Sequence, residues 1–432
     1  MAWVNAPIPP SAESSGNFRD YLIPLDHPRL SPRDRDPRTH AKAVLGNPDI
    51  FLTDVAKGWL KLYEQPYKGF TTDGNVVPNL YQHQPDPNGP TEGMVSAANK
   101  LLEVASKEEK EKICYPINAR EWRSWSNPEV IIVDSGMRLD ELSPEARAAA
   151  LDLLKASLSS EGFEKLTAAV YTNHFLGELT TLHNVMNKNS YHFCLFGTPS
   201  LTEPWGFNLF GHHMCINVLT VAGDIVVGPF FVGAEPNVID EGQHKDIAVL
   251  KKEEAAGLAF MKSLSPEQQK KATLQGDIND IDGSTMQPGR WNPADLRGLG
   301  GAFQDNRVIP YDGLCAAEMT AQQRLDLLGI VRIFNDLLPS AALERFVARV
   351  EKHLDETYFG WIGPVNDETP FYFRVHGPVV MDEFDHHNGV WLSNVYPKKY
   401  HIHTIQRLPN RGDYGVGVLE DWSKGKGKVG PE

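Results

Sequence analysis

The chain has 432 residues and a formal net charge of −14, from 42 Lys and Arg against 56 Asp and Glu. This acidic balance argues against nucleic acid or an acidic membrane as partner, because both bind clustered basic side chains. Hydrophobic residues make up 41% and charged residues 23% of the chain, which is typical of a globular enzyme that folds without disulfides or a structural metal.

The lack of a recognisable targeting signal and the spacing of the cysteines predict a cytoplasmic protein. No run of 18 apolar residues predicts a membrane-spanning helix. The N-terminus lacks the basic and apolar segments of a secretory signal. The four cysteines lie at least 21 residues apart, which excludes CxxC zinc ligands and a disulfide scaffold.

Composition divides the chain into three parts. Residues 1–90 are rich in Pro, Asp, Arg and Asn and predict an extended arm with one short helix near 48–63. Residues 91–424 contain helical and strand patterns with no low-complexity linker, so we expect a single α+β catalytic domain. Residues 425–432 are rich in Gly and Lys and predict a flexible tail.

Periodicity predicts blocks of helices alternating with blocks of strands. In chain order we predict helices at 92–108, from Ser143-Pro144-Glu145 and from Ser159 towards Met186; strands at 191–196, 211–221 and 225–232; helices at 248–264, 266–273, 320–337 and 341–354; and strands at 358–362, 371–376, 379–384 and 399–407. Residues 276–307 predict a long loop. This order favours α+β, a mostly antiparallel β framework flanked by blocks of helices.

The sharpest local signal is the segment Tyr400-His401-Ile402-His403-Thr404-Ile405-Gln406-Arg407. Because alternate residues of a strand share a face, His401, His403, Ile405 and Arg407 are expected on one side. Two imidazoles followed by a guanidinium can hold a metal and an anionic substrate group together. The alternatives are a half-exposed histidine pair on an edge strand and an internal partner for Arg407, with Asp413 as the best local acid.

A second histidine pair follows Gly211. On a regular strand His212 and His213 point to opposite faces, so one metal takes only one of them. His213 shares its face with Cys215 and Asn217, whereas the face of His212 has the character of core. His213 is therefore the better ligand candidate, and the alternative is that both histidines are structural.

A third group lies at the end of the strand predicted at 379–384. Glu383 is followed by Asp385 and His386, and a carboxylate beside imidazoles suits a fourth metal ligand or a general base. We expect Glu383 as the ligand, with His386 next. The alternative for Asp385 and His386 is turn chemistry.

The three groups together predict one divalent transition metal. Imidazoles with one carboxylate suit Fe, Mn, Cu or Zn, and ligand type alone does not choose among these metals. The two histidine-rich regions lie nearly 200 residues apart, so a shared site requires their strands to pair. Rossmann, P-loop, zincin and hydrolase-elbow signatures do not occur in the sequence. The expected ligands are His212 or His213, Glu383, His401 and His403.

Several further motifs lie in order along the chain. They include Glu121-Trp122-Arg123, Phe196-Gly197-Thr198-Pro199-Ser200, Glu203-Pro204-Trp205-Gly206, Phe231-Val232-Gly233-Ala234-Glu235-Pro236, Tyr358-Phe359-Gly360-Trp361 and Asp413-Tyr414-Gly415. With the histidine segments, they resemble the fungal and bacterial family called domain of unknown function 3500, over roughly residues 70–420. The resemblance implies one fold unit over that span. It supports the positions of the candidate site residues but does not indicate a reaction.

The family pattern coincides with all five candidate ligands. It also implies further candidate catalytic residues, namely Asn217, His386, Arg407, Asp413 and Tyr414. The chain departs from the pattern at Phe207-Asn208, at Asp382 and at Arg411-Gly412. The first two departures are expected to alter the pocket wall, and neither touches the expected ligands.

These features predict a metal-dependent enzyme with a mononuclear His/Glu site. We expect an oxygenase or other oxidoreductase acting on a small oxygenated organic substrate, with Arg407 binding an anionic group. A metal-assisted hydrolase or lyase, in which the metal acidifies a bound water, is the first alternative. The second is a non-enzymatic small-molecule-binding protein whose histidines are structural.

Overall fold

A computed structural model of the protein describes residues 17–30, 33–48, 50–280, 282–287 and 289–425. These described residues form eleven α-helices and one 12-stranded sheet. The helices are α1 (Pro37–Leu45), α2 (Phe51–Tyr63), α3 (Thr91–Val104), α4 (Lys107–Ile113), α5 (Pro144–Ser157), α6 (Ser160–Thr180), α7 (Lys251–Ser263), α8 (Pro266–Ala272), α9 (Ala321–Phe334), α10 (Ser340–Lys352) and α11 (Val416–Gly425). The strands are β1 (Cys114–Tyr115), β2 (Met137–Arg138), β3 (Tyr191–Gly197), β4 (Trp205–Gly211), β5 (Met214–Val221), β6 (Asp224–Ala234), β7 (Thr273–Gln275), β8 (Leu314–Cys315), β9 (Tyr358–Ile362), β10 (Tyr372–Gly377), β11 (Val380–His386) and β12 (Ile402–Arg407).

The sheet is mostly antiparallel and confirms the predicted α+β class. Its strand order is β1-β3-β4-β5-β6-β12-β11-β10-β9-β7, with β2 on β3 and β8 on β9. The short strands β1 and β7 run parallel to their neighbours. At the centre β6 pairs with β12, and His403 lies opposite Gly233. This pairing brings together the two histidine-rich regions.

A separate apolar layer covers each face of the sheet. On one face, helices α3, α5, α6, α7, α9 and α10 pack on side chains that include Phe384 and Ile402. On the other face, α1, α2 and loop residues near 122–132 and 302–303 cover Cys215, Phe231 and Ile405. Because successive strand residues point to opposite faces, odd and even positions of each strand pack against different layers.

The N-terminal region contains more helix than predicted. The helix predicted near 48–63 is α2, but α1 lies in a stretch predicted to be extended. Asp36 caps α1 by accepting from the backbone N–H groups of Arg38 and Thr39, and Pro37 occupies the first turn. Both helices contribute buried residues to the second layer, so this region helps to cover that face. The division of the chain at residue 90 stays a prediction.

Several elements differ from the predictions, including α6, β4 and β5. Helix α6 ends at Thr180 instead of near Met186, because Thr181 adopts a left-handed conformation at φ 58°. Strand β4 was not predicted, and β5 begins at Met214 instead of Gly211. Beyond Gly425, the predicted tail lies outside the described residues. Within the described part of the chain, every helix is too short or too polar to cross a membrane.

Candidate metal centre

The histidine pair after Gly211 lies in a turn, which corrects the prediction of a continuous strand. Gly211 of β4 pairs directly with Met214 of β5, so His212 and His213 form the two-residue connection. His213 has φ 62°, in the left-handed region. The two imidazole rings therefore stack, with centroids 3.9 Å apart, instead of pointing to opposite faces.

Three of the predicted ligands come together beside this turn. One nitrogen from each of His213, His401 and His403 lies within 4.8 Å of the other two. The Nε2 atoms of His213 and His401 are 3.2 Å apart. A tetrahedral metal with bonds of about 2.0–2.1 Å separates its ligand nitrogens by about 3.3 Å. The cluster is thus close to the spacing that a single metal ion requires.

Burial favours the neutral, metal-binding form of these imidazoles. Burial and the neighbouring imidazoles hold the pKa values of His213 and His403 well below the usual value for histidine. Among the described residues, His213 Nδ1 and His403 Nε2 have no hydrogen-bond partner. Each unpaired buried nitrogen costs about 1–3 kcal/mol. A bound metal would give lone-pair nitrogens of the cluster a partner.

One backbone carbonyl orients two imidazoles at this site. The oxygen of Asn388 accepts from Nδ1 of His401 at 2.7 Å and from Nδ1 of His387 at 3.0 Å. With Nδ1 as the donor, each ring keeps its lone pair on Nε2. His387 Nε2 has no partner among the described residues, and its ring centroid lies 4.8 Å from that of His403. His387 is therefore a fourth imidazole beside the cluster.

Glu235 fixes the loop that carries Asn388. Its carboxylate is buried and accepts from the backbone N–H groups of Val390, Trp391 and Leu392 at 2.8–3.0 Å. The same carboxylate lies 3.7 Å from His401 Nδ1. Metal-binding histidines usually have such a carboxylate or carbonyl behind them. Glu235 supplies such a carboxylate behind His401, in addition to the carbonyl of Asn388.

A cavity of about 600 Å³ leads to the cluster. His212, His213, His387, His401 and His403 line it, and most of the other lining side chains are apolar. Its volume is within the range of sites that bind small organic molecules. The other lining residues are Arg29, Val44, Phe51, Leu52, Trp59, Asn127, Pro128, Glu129, Asp282, Trp291, Pro293, Ala294, Leu296, Asn388, Gly389, Val390 and Val395.

Glu383 does not join the cluster, which corrects the expected fourth ligand. It lies opposite Ile405 in the β11–β12 pairing. Its carboxylate accepts from the backbone N–H groups of Leu299 and Gly300 at 2.9 and 2.8 Å and from the Tyr372 hydroxyl at 2.5 Å. Burial raises the pKa of Glu383. These contacts anchor a loop against the sheet and leave the carboxylate away from the cavity.

His386 and His212 also have structural contacts. His386 lies on the opposite face from His403, where its Nδ1 contacts the backbone of Phe371 and its Nε2 lies 3.3 Å from Glu254. His212 Nδ1 lies 2.8 Å from the side-chain oxygen of Asn173. Burial lowers the pKa of His212 to about 4. His212 therefore supports the turn from behind His213, and His386 is not part of the site.

Arg407 is fully buried in an internal ion-pair network, which corrects the expected role in substrate binding. Its guanidinium donates to Asp413 and to Asp305, each at 2.8 Å, and to the carbonyl of Gly300 at 3.0 Å. The Tyr414 hydroxyl donates to Asp305 at 2.7 Å. Of the alternatives open for Arg407, the Asp413 pair is the one present, so Arg407, Asp413 and Tyr414 are structural.

Asn217 is likewise buried away from the cavity. Its side-chain amide donates to the carbonyl of Pro229 at 2.9 Å, close to the point where the β5–β6 register shifts. Phe207 and Asp382, two of the departures from the family pattern, do not line the cavity either. The expectation that they alter the pocket wall is therefore wrong.

The structure defines a class of protein: an α+β fold in which three buried imidazoles from separate segments meet at the end of an apolar cavity. The chain belongs to the family described as "Protein of unknown function (DUF3500)", whose model matches residues 87–416. That match includes His213, His401 and His403 and confirms the resemblance found in the sequence. Neither a curated protein nor a solved structure matches the chain.

Proposed function

We propose that this protein is a metal-dependent enzyme that acts on a small oxygenated organic substrate. The observation that carries the proposal is the cluster of His213, His401 and His403 at the end of a cavity of ligand size. Three imidazoles with spacing near that of a tetrahedral site are a ligand set that Zn, Cu, Fe and Ni accept. The missing carboxylate removes one reason to favour Mn.

The surrounding residues suit a catalytic site better than a closed structural one. A structural zinc site usually has four protein ligands, whereas catalytic sites keep three and leave room for water or substrate. Here three imidazoles form the cluster and the cavity gives a small molecule access to it. His387 Nε2 has no partner among the described residues and is available to hydrogen-bond a bound substrate or to serve as an additional ligand.

We propose oxidoreductase chemistry first and metal-assisted hydrolysis or lyase chemistry second. Imidazole ligands suit the redox metals Fe and Cu, and the mostly apolar cavity suits reactions from which water is kept out. The second class is favoured by the loss of Glu383 from the ligand set. With three neutral ligands the metal keeps its full positive charge, which lowers the pKa of bound water. We place the enzyme in the cytoplasm, as the four free cysteines suggest.

Metal content tests the proposal directly. The protein is produced without a histidine tag, reconstituted separately with Fe, Mn, Cu and Zn, and analysed for bound metal. We expect about one ion per chain, and less than about a tenth of an equivalent with every metal would refute a metal enzyme. The non-enzymatic alternative predicts that chelator changes neither ligand binding nor stability.

The metal-loaded protein is then screened against small oxygenated compounds with and without O₂. Turnover that stops under anaerobic conditions indicates the oxidoreductase. Turnover that is unaffected by O₂ indicates the hydrolase or lyase. The variant His403→Ala is the matched negative control, because it removes a ligand and leaves the apolar side chains of the cavity wall in place.

A further inference from the structure

The walls of the cavity are mainly apolar from the cluster to the rim. Val44, Leu52 and Trp59 from the N-terminal helices face Trp291 and Leu296 from the loop that follows β7. At the rim, Val395 is 45% exposed. Two indole rings among the lining side chains favour flat, polarisable ligands. The five lining histidines supply polar groups beside the cluster.

The charges that line the cavity do not favour a charged ligand. Among the described lining residues, the charged side chains are Arg29, Glu129 and Asp282, and Asp282 is exposed at the surface. The guanidinium of Arg29 lies over the ring of Trp391 at 4.3 Å and is close enough to Glu129 for the two charges to interact. Glu129 in turn lies 3.4 Å from His40. Apart from the metal ion of the proposed enzyme, an anion entering the cavity would therefore meet only a cation that already has a counter-charge.

We infer that the substrate of the proposed enzyme is uncharged and largely apolar, with an aromatic or branched body and one oxygen or nitrogen that reaches the histidine cluster. This inference rests on the proposed function and names its substrate class. It replaces the anionic substrate expected from the sequence, because Arg407 is buried in pairs with Asp305 and Asp413. The apolar body occupies the walls, and the heteroatom lies at the polar end.

Three imidazole probes test this inference on protein loaded with Co²⁺, whose visible absorption changes when a ligand binds. The probes are imidazole, 4-phenylimidazole and 4-(1H-imidazol-4-yl)benzoate, which share the metal-binding imidazole and differ in the attached body, and the para-carboxylate of the last cannot reach the same metal ion. We expect 4-phenylimidazole to bind about thirtyfold more tightly than imidazole, as burial of a phenyl-sized group predicts. We expect 4-(1H-imidazol-4-yl)benzoate to bind less tightly than 4-phenylimidazole, because its charge would enter the apolar part of the cavity.

A matched pair of valine variants locates the binding. Val395 lines the cavity rim, whereas Val308 is equally exposed, at 44% against 45%, and does not line the cavity. Val395→Asp should weaken 4-phenylimidazole about fourfold, because the phenyl group loses an apolar neighbour and meets a charge. Val308→Asp should leave its affinity unchanged. Equal effects of the two substitutions would overturn the inference.

A second measurement separates failure of this inference from failure of the proposed function. The neutral fluorophore N-phenyl-1-naphthylamine is titrated into metal-free protein, where binding does not depend on any metal. If Co²⁺ fails to bind, and Fe, Mn, Cu and Zn fail as well, the proposed enzyme fails, and the fluorophore still decides whether the cavity takes apolar ligands. If Co²⁺ binds and 4-(1H-imidazol-4-yl)benzoate is the tightest probe, or the fluorophore does not bind, the apolar substrate is refuted while the metal site stands.

Discussion

Replacing Glu235 by glutamine tests whether this residue positions the metal site. The substitution keeps the shape of the side chain and removes its charge. In the structure the carboxylate accepts from three backbone N–H groups of residues 390–392. A hydrogen bond to a charged group contributes about 1 kcal/mol more than a neutral one, so Glu235→Gln should cost about 3 kcal/mol of unfolding free energy.

The same substitution should also weaken metal binding. The loop held by Glu235 presents the Asn388 carbonyl to Nδ1 of His401 at 2.7 Å, and the carboxylate itself lies 3.7 Å from that nitrogen. Loss of such a supporting group usually lowers metal affinity about 10- to 100-fold. Urea unfolding measures the stability, and competition with a chromophoric chelator measures the zinc affinity.

Glu109 supplies the matched control for this experiment. It too is a buried glutamate whose carboxylate accepts from backbone N–H groups, those of Ser106 and Ser143, both at 2.6 Å, and it does not line the cavity. Glu109→Gln should lower stability by a comparable amount and leave zinc affinity unchanged. If both variants lose zinc affinity equally, or Glu235→Gln loses none, the positioning role is refuted.

Three further predictions concern ligands, charge pairs and pH. His401→Ala and His403→Ala should each lower bound metal below about a tenth of an equivalent in a folded chain, whereas His386→Ala should keep its metal and lose only stability; full occupancy of both ligand variants would make the pair structural. Arg407→Lys should lower the melting temperature, since disrupting a buried pair costs about 3 kcal/mol, and should leave metal content unchanged; a normal melting temperature would contradict this. Burial raises the pKa of Asp295 to about 7. A raised carboxyl pKa means that the native state holds the extra proton, so its contribution to stability falls by about 1.4 kcal/mol per unit between pH 4 and 7; urea unfolding at pH 5 and pH 7 should show this slope in the wild type and lose it in Asp295→Asn.

Strand periodicity was sufficient to find part of the site from the sequence. The i, i+2 spacing predicted that His403, Ile405 and Arg407 share a face, and all three lie on the side of the sheet opposite Ile402. The same alternation applies to Glu383 and His386: residues three apart on a strand lie on opposite faces. These two candidates were therefore incompatible with one strand-borne metal site from the start.

Turn geometry explains why the role of His213 was only partly predicted. The strongest hairpin signals are Asn-Gly and Asp-Gly pairs, and neither residue of the pair His212-His213 is glycine or asparagine. The sequence therefore favoured a continuous strand, in which the rings diverge. The actual turn, with φ 62° at His213, stacks the rings and directs His213 towards His401.

Contacts made by distant loops could not be predicted from local patterns. Glu383 lies on the same face of the sheet as His403. Its carboxylate, however, accepts hydrogen bonds from the backbone N–H groups of Leu299 and Gly300, which lie 84 and 83 residues away in the sequence. Arg407 is paired by Asp305, 102 residues away, as well as by the local acid Asp413. A sequence pattern shows which face a charged residue occupies, but not which loop reaches it first.

The three ligands of the cluster come from two segments that lie far apart in the sequence, and this has a consequence for metal binding. His213 lies in the β4–β5 turn, whereas His401 and His403 lie at the start of β12. Residues 387–392 lie beside this cluster, because the Asn388 carbonyl accepts from His401 and the backbone of 390–392 is bound by Glu235, one residue beyond the end of β6. An ion held by both segments adds a cross-link to the same junction, and ligand binding that is confined to the native state raises its stability. Metal loading should therefore protect the amides of 387–392 from hydrogen exchange more than those of the distant strand β9.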